Sequence, residues 1–275
     1  MASVIETGAR TIVHSDGAAV PIISKRSLTM THHRLVSLAA LGLSAALLGC
    51  STASSNGGAM SSSPAPAAAA STSAPTTQGW RNLIDPSLSA WRGYREAKVP
   101  AGWSVADGVL SKTASSNDLV SRDEFANFEL EFEWKLHPGG NAGVFYRGSE
   151  EAEKIYFTAP EYQLLDDAGH ADGKSRLTSA GSDYALYPSP AGVVKPANEW
   201  NSSRIVARGP HVEHWLNGQK LLEYEAGSPD WETRLKASKF ATWPKYGRLT
   251  TGHLGIQGDH EGELAIRNMR IRTLP

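Results

Sequence analysis

Phe128-Glu129-Leu130-Glu131-Phe132-Glu133-Trp134-Lys135-Leu136 alternates large apolar and charged side chains without a break. A strict period of two puts Phe128, Leu130, Phe132, Trp134 and Leu136 on one face of an extended chain and the charges on the other. This is a half-buried β-strand, and its neighbours repeat the theme. Asp107-Gly108 stands between Trp103-Ser104-Val105 and Val109-Leu110, and Asn217-Gly218 stands between His211–Leu216 and Lys220–Tyr224. Both pairs have the residue types of a two-residue hairpin turn. Arg204–Arg208 and Gly252–Gln257 read as further strands. Leu264 and Ile266 share one face, Met269 and Ile271 share another phase, and the one-residue change predicts a β-bulge at Arg267-Asn268. One short helix is expected, with Ser228 as N-cap, Pro229 at its first position, and Trp231 and Leu235 on one face. Many short strands without βαβ alternation predict an all-β, two-sheet sandwich.

Outward of this domain, the N-terminal 78 residues have another character. Leu35 to Leu48 is an apolar Ala/Leu-rich run behind the weakly basic Met30–Arg34, too short to span a bilayer. It ends in Leu47-Leu48-Gly49-Cys50, which resembles a bacterial lipobox, with Cys50 as the lipidated residue; the alternative is a secretory segment with an incidental cysteine. Cys50 is the chain's single cysteine, so no intramolecular disulfide competes for it. Residues 30–49 are therefore read as a lipoprotein signal peptide. Residues 1–29, too polar for a signal, are read as a non-native or disordered extension upstream of a start at Met30. Residues 50–78, almost wholly Ser, Ala, Thr, Pro and Gly, are read as a tether. Ser51 after the cysteine points, by resemblance to sorting rules, to the periplasmic face of an outer membrane. The membrane is then a partner only through the lipid.

Residues 79–275 form one domain of ordinary size. Of the chain's 27 basic and 28 acidic residues, only Arg10, Lys25, Arg26, Arg34, Glu6 and Asp16 precede it, so the domain is near neutral. It has no basic run, which disfavours nucleic acid as a partner. All eight tryptophans lie in it; aromatic rings suit sugar faces but also fill cores. A phosphate-binding Gly-rich loop, a Gly-x-Ser-x-Gly elbow and a cysteine nucleophile are absent from its sequence. His211 and His214, three apart on a strand, face opposite sides and make a poor metal pair.

Two stretches read as short strands that carry polar groups where a sandwich strand normally alternates apolar and exposed residues. Pro160-Glu161-Tyr162-Gln163-Leu164-Leu165-Asp166-Asp167 places Glu161 and Gln163 on one face. Gly139-Gly140-Asn141-Ala142-Gly143-Val144-Phe145-Tyr146-Arg147 places Asn141 and Arg147 on one face of its own strand. A carboxylate, an amide and a guanidinium on a rigid sheet could bind a polyhydroxylated ligand and move protons on it; a solvated outer face is the alternative. His260, in the loop Gly258-Asp259-His260-Glu261-Gly262, is a further candidate.

These stretches resemble the 3-keto-disaccharide hydrolase family over residues 79–274. Its motifs appear in order: Gly143–Arg147, Glu161-Tyr162-Gln163 with Asp166, then His170, Gly173-Lys174 and Thr178-Ser179-Ala180. Trp200-Asn201 with Arg204-Ile205-Val206, His214–Gly218, Gly252–Gln257 and Arg267–Ile271 follow. The departure is Gly258 and Gly262 around His260, where members more commonly read Gln-Asp-His-Gly. The resemblance implies a concanavalin A-like jelly roll and a small carbohydrate substrate already oxidised at C3. A C3 ketone acidifies the C2 hydrogen, so a base can start elimination of the C1 oxygen, and water then adds to the enone. Under the resemblance Glu161 is the base, or a ligand if a divalent metal ion is used as cofactor. His260 or Asp166 would protonate the leaving group, and Arg147 or Lys174 would hold the enolate oxygen. Asn141, Tyr146, Gln163, His170 and Gln257 would bind the substrate. A lectin-like binding lipoprotein and an ordinary two-carboxylate glycosidase stay open as alternatives.

Overall fold

The computed structural model describes residues 79–275. Cys50, the signal segment and the tether lie outside the described residues. The strands are β1 (Arg81–Asn82), β2 (Trp91–Gly93), β3 (Trp103–Ala106), β4 (Val109–Lys112), β5 (Leu119–Phe125), β6 (Phe128–Leu136) and β7 (Asn141–Gly148). They continue with β8 (Glu161–Leu165), β9 (Asn201–Arg208), β10 (His211–Leu216), β11 (Gln219–Glu225), β12 (Gly252–Ile256) and β13 (Leu264–Thr273). The one α-helix among the described residues is α1 (Pro229–Ala237).

All strand pairs are antiparallel. The larger sheet runs β11-β10-β9-β6-β13-β4-β3, with β1 added to β13; the smaller runs β2-β5-β12-β7-β8. The domain is thus an all-β sandwich of the jelly-roll kind. β6 lies between β9 and β13, which is why its alternation is so strict. Phe128, Leu130, Phe132, Trp134 and Leu136 are buried against the small sheet. On its other face Glu129, Glu131 and Glu133 pair with Arg272, Arg270 and Arg267 of β13. The predicted bulge makes that ladder possible. Register shifts between Arg267 and Arg270, with Asn268 at φ 53°, so arginines of opposite parity reach the same face.

The local chemistry of the turns also explains the fold. Asp107 and Gly108 have φ 50° and 74°, and Asn217 and Gly218 have 49° and 83°, the left-handed pairs that match hairpin twist. Ser228 caps α1 by accepting from the Trp231 N–H, Pro229 occupies the first turn, and Trp231 and Leu235 are buried. No helix among the described residues is long and apolar enough to cross a membrane.

Candidate active site

β7 and β8 are neighbours at one end of the small sheet, paired Asn141↔Leu165, Gly143↔Gln163 and Phe145↔Glu161. Ala142, Val144, Tyr162 and Leu164 point into the main core. Asn141, Glu161 and Gln163 point to the opposite face. There they line a pocket of about 550 Å³ with His170, Gln257 and His260. The polar face of β8 is therefore not a solvated surface: all five of its residues are buried.

Glu161 owes its place to a glycine. A Cβ on Gly143 would lie 2.1 Å from Glu161 Oε1, so only glycine leaves room for the carboxyl across the strand pair. With its amide nitrogen turned toward Glu161, Gln163 donates to Glu161 Oε1 (3.2 Å) and to the Ala142 carbonyl (3.0 Å). Burial raises the Glu161 carboxyl from 4.5 to about 8; Lys239 opposes this, and Asp118, Asp183 and Asp259 add to it. Lys239 is the one Lys or Arg among the lining residues. Its ammonium sits 4.2 Å from the Tyr184 ring centroid, and burial lowers its pKa while Glu161 and Asp172 pull it up.

The loop bearing His260 is tied from beneath. Asp118 Oδ1 accepts from the Gly258 N–H (2.8 Å), and the buried Lys112 ammonium donates to the carbonyls of His260 (2.7 Å) and Gly262 (3.2 Å). Gly258 passes so close to the Asn117 carbonyl that a Cβ would come within 2.5 Å, and Gly262 has φ 88°. The two glycines that depart from the usual family pattern thus belong to the turn that brings His260 into the pocket. Burial lowers the His260 pKa, keeping the imidazole neutral at pH 7. His170 Nδ1 accepts from the Asp172 N–H (3.1 Å), which leaves the ring proton on Nε2. Gln257 Oε1 and Asp259 Oδ1, both on lining residues, have no partner.

Four residues expected in the site stand elsewhere. Arg147 follows a second bulge, where Tyr146 and Arg147 together oppose Leu254 and Arg147 takes φ 52°. The parity shared with Asn141 is lost, and the guanidinium donates to the Ala126 carbonyl (3.1 and 2.7 Å). Tyr146 faces the core, its hydroxyl bonded to His214 Nε2 (2.9 Å) and the Tyr224 hydroxyl (2.7 Å). Asp166 accepts from the N–H groups of Gly139 (2.8 Å) and Ala168 (3.3 Å), which organises the ends of β7 and β8 outside the pocket. Lys174 is exposed at the end of the one-turn helix Ala171–Lys174 and does not line the pocket.

Sequence reasoning missed Lys239, Tyr246, Trp243, Asp172 and Tyr184, all of which line the pocket. One signal pointed to part of this set. Phe240, Trp243 and Tyr246 recur every third residue in a stretch with no strand pattern, and loops hold so many large aromatics for a reason.

Among the described residues, the one His/Asp/Glu trio close enough to share an ion is His211, Glu213 and Glu223, on β10 and β11 and away from the pocket; Glu161 is in no such trio. A groove of about 640 Å³ on the large sheet is lined by Glu131, Glu133 and Arg270. Its charges are already paired across β6 and β13, so it offers no free acid or base.

The sequence model of the 3-keto-alpha-glucoside-1,2-lyase-like domain matches residues 79–272. A 3-keto-disaccharide hydrolase of Bacteroides thetaiotaomicron is 34% identical over 229 residues, covering 71% of this chain and 79% of that protein. Two crystal structures from Parabacteroides distasonis, both described as candidate glycosyl hydrolases, share the architecture. One is 34% identical with a TM-score of 0.67 over 72% of this chain and 94% of its own. The other is 27% identical with a TM-score of 0.58 over 71% of this chain and 100% of its own. A buried carboxyl, a facing lysine and a sugar-sized pocket lie within the matched span, and the chain belongs to the 3-keto-disaccharide hydrolase family as a glycosidic-bond hydrolase.

Proposed function

We propose that the substrate is a 3-keto-glycoside and that the bond is cut by C2 proton abstraction, elimination and hydration. The observation that carries this reading is the Glu161 carboxyl, buried in the pocket with no ion pair and raised to about 8. A base of that strength suits removal of a carbon-bound proton better than an ordinary carboxylate does. As the C2 proton leaves, charge develops on the C3 oxygen, and the Lys239 ammonium supplies the electrostatic stabilisation expected earlier of Arg147 or Lys174. Gln257 Oε1 and Asp259 Oδ1 are unpaired acceptors for sugar hydroxyls, and Asn141 and Gln163 add amide groups. His170 and His260 present imidazole rings to the same ligand.

Turnover through Glu161 rises with pH toward about 8, because the carboxylate is the active form and burial holds it back at lower pH. The discriminating assay offers the purified protein a 3-keto-glucoside and its non-oxidised parent. The proposal expects turnover of the first alone. Turnover of the parent marks an ordinary glycosidase, and turnover of neither marks a binding module. We further propose attachment through a lipid on Cys50 at the periplasmic face of the outer membrane, on the strength of Leu47-Leu48-Gly49-Cys50 and Ser51.

A further inference from the structure

Tyr246 is 1% exposed, lines the pocket with Glu161, and has a hydroxyl with no hydrogen-bond partner. A buried unpaired hydroxyl is destabilising, and a ligand group in the pocket would complete it. The ring is not free to search for one. It stacks on Phe240 at 4.0 Å with 11° between planes, and the Gly247 N–H beside it donates to the Thr158 carbonyl (2.8 Å).

Tyr246 shares the pocket with a cluster of aromatic rings. Trp243 packs against Phe240 at 5.1 Å, Phe157 at 4.4 Å and Tyr156 at 6.0 Å, and all of them line the pocket. Tyr156, Phe157 and Trp243 are only partly buried, so they keep apolar surface turned to the open space. His170, Asp172, Asp259, His260 and Gln257 add polar groups to the same lining. A keto sugar, rich in hydrogen-bonding groups, matches these polar groups. The group it loses matches the aromatic rings, on which a flat ring face can stack.

Resting on the 3-keto reading above, we propose that the Tyr246 hydroxyl donates the proton to the departing glycosidic oxygen. Trp243, with Tyr156 and Phe157, holds the leaving group by the flat face of a ring, pyranose or arene. Glu161 takes the C2 proton, and the C2–H electrons form the enolate. The enolate re-forms its ketone as the C1–O bond breaks, and that electron pair goes to the leaving oxygen, which takes the Tyr246 proton. The phenolate then recovers a proton from the Glu161 carboxyl, which restores both residues and leaves the enone. Water adds at C1, giving a proton to Glu161, and C2 is protonated in turn. Burial keeps the Tyr246 proton in place well above the usual phenol range, so the donor is loaded at working pH.

The test is Tyr246→Phe in the full chain, with two 3-keto-glucosides. One has an alkyl leaving group, which must be protonated to depart; the other has a nitrophenyl group, which departs as the anion. The proposal expects kcat to fall about 10²–10³-fold on the alkyl substrate and far less on the nitrophenyl one. The melting temperature should not drop, because the only atom removed is unpaired. Equal losses on both substrates, no loss on either, or a clear loss of stability would overturn it. For the wall, Trp243→Ala should raise KM for ring leaving groups relative to a methyl one. A rise for glucosyl alone assigns a pyranose, a rise for phenyl alone an arene, and no rise for either overturns the wall. If wild type turns over neither 3-keto substrate, the 3-keto reading itself fails, an outcome distinct from a fully active Tyr246→Phe.

Discussion

Replacing Glu161 by glutamine should make this protein more stable at alkaline pH while removing its activity. Burial raises the folded-state carboxyl from 4.5 to about 8, whereas the unfolded chain ionises freely near 4.5. A pKa raised on folding favours the folded state fully below the unfolded value, and that advantage is lost as pH rises through the folded value. At about 1.4 kcal/mol per pKa unit, wild type should lose about 3 kcal/mol between pH 4 and pH 7, and about 5 kcal/mol by pH 9. Glutamine has the same shape and no charge to bury, so Glu161→Gln escapes this loss. The difference in unfolding free energy between variant and wild type should therefore grow in the variant's favour with pH. Urea denaturation followed by tryptophan fluorescence at pH 5, 7 and 9 measures it, with eight tryptophans in the domain as reporters. In the same preparations kcat should fall about 10²–10⁴-fold, the usual effect of losing a positioned base. A stability difference that stays flat from pH 5 to 9 would refute the buried, raised carboxyl. A variant as active as wild type would remove Glu161 from the chemistry.

Lys239→Ala should lower kcat about 10²–10³-fold by removing the cation at the developing enolate, whereas Lys174→Ala should stay within about twofold of wild type in the same assay. Gly143→Ala puts a methyl group where Glu161 Oε1 now lies, 2.1 Å away; kcat should fall about 10²-fold and denaturation should show a loss of about 1–3 kcal/mol. Cys50→Ala should move the protein from the membrane fraction of a Gram-negative cell to a soluble or unprocessed form, and unchanged, normally processed membrane protein would contradict the lipid anchor.

What could be read in advance follows from how local each signal is. The strand at Phe128–Leu136, the Asp107-Gly108 and Asn217-Gly218 turns, the Ser228 cap and the bulge at Arg267-Asn268 are each determined by residues within a few positions. Glu161 and Gln163 were visible for the same reason, since strand parity alone puts them on one face. The second bulge was hidden. Phe145 and Tyr146 are both large and aromatic, so no change of hydrophobic phase marks the break, and Arg147 was placed on the wrong face. Asp166 sits beside the site residues in sequence, but its carboxylate is spent on two N–H groups of a turn. Lys239 and Tyr246 come from the segment after α1 and reach Glu161 only through the tertiary fold, which no period along the chain records.

If bond cleavage begins at C2 rather than C1, a 3-keto-glucoside carrying deuterium at C2 will reveal it. The control is the same compound without enzyme, because hydrogen beside a ketone exchanges slowly unaided. With Glu161 as base, the labelled substrate should turn over several-fold more slowly than the unlabelled one, and early product formed in ordinary water should have lost its deuterium. Equal rates together with full retention of deuterium at C2 would show that the C2–H bond never breaks, and would leave Glu161 to act as a carboxylate at C1.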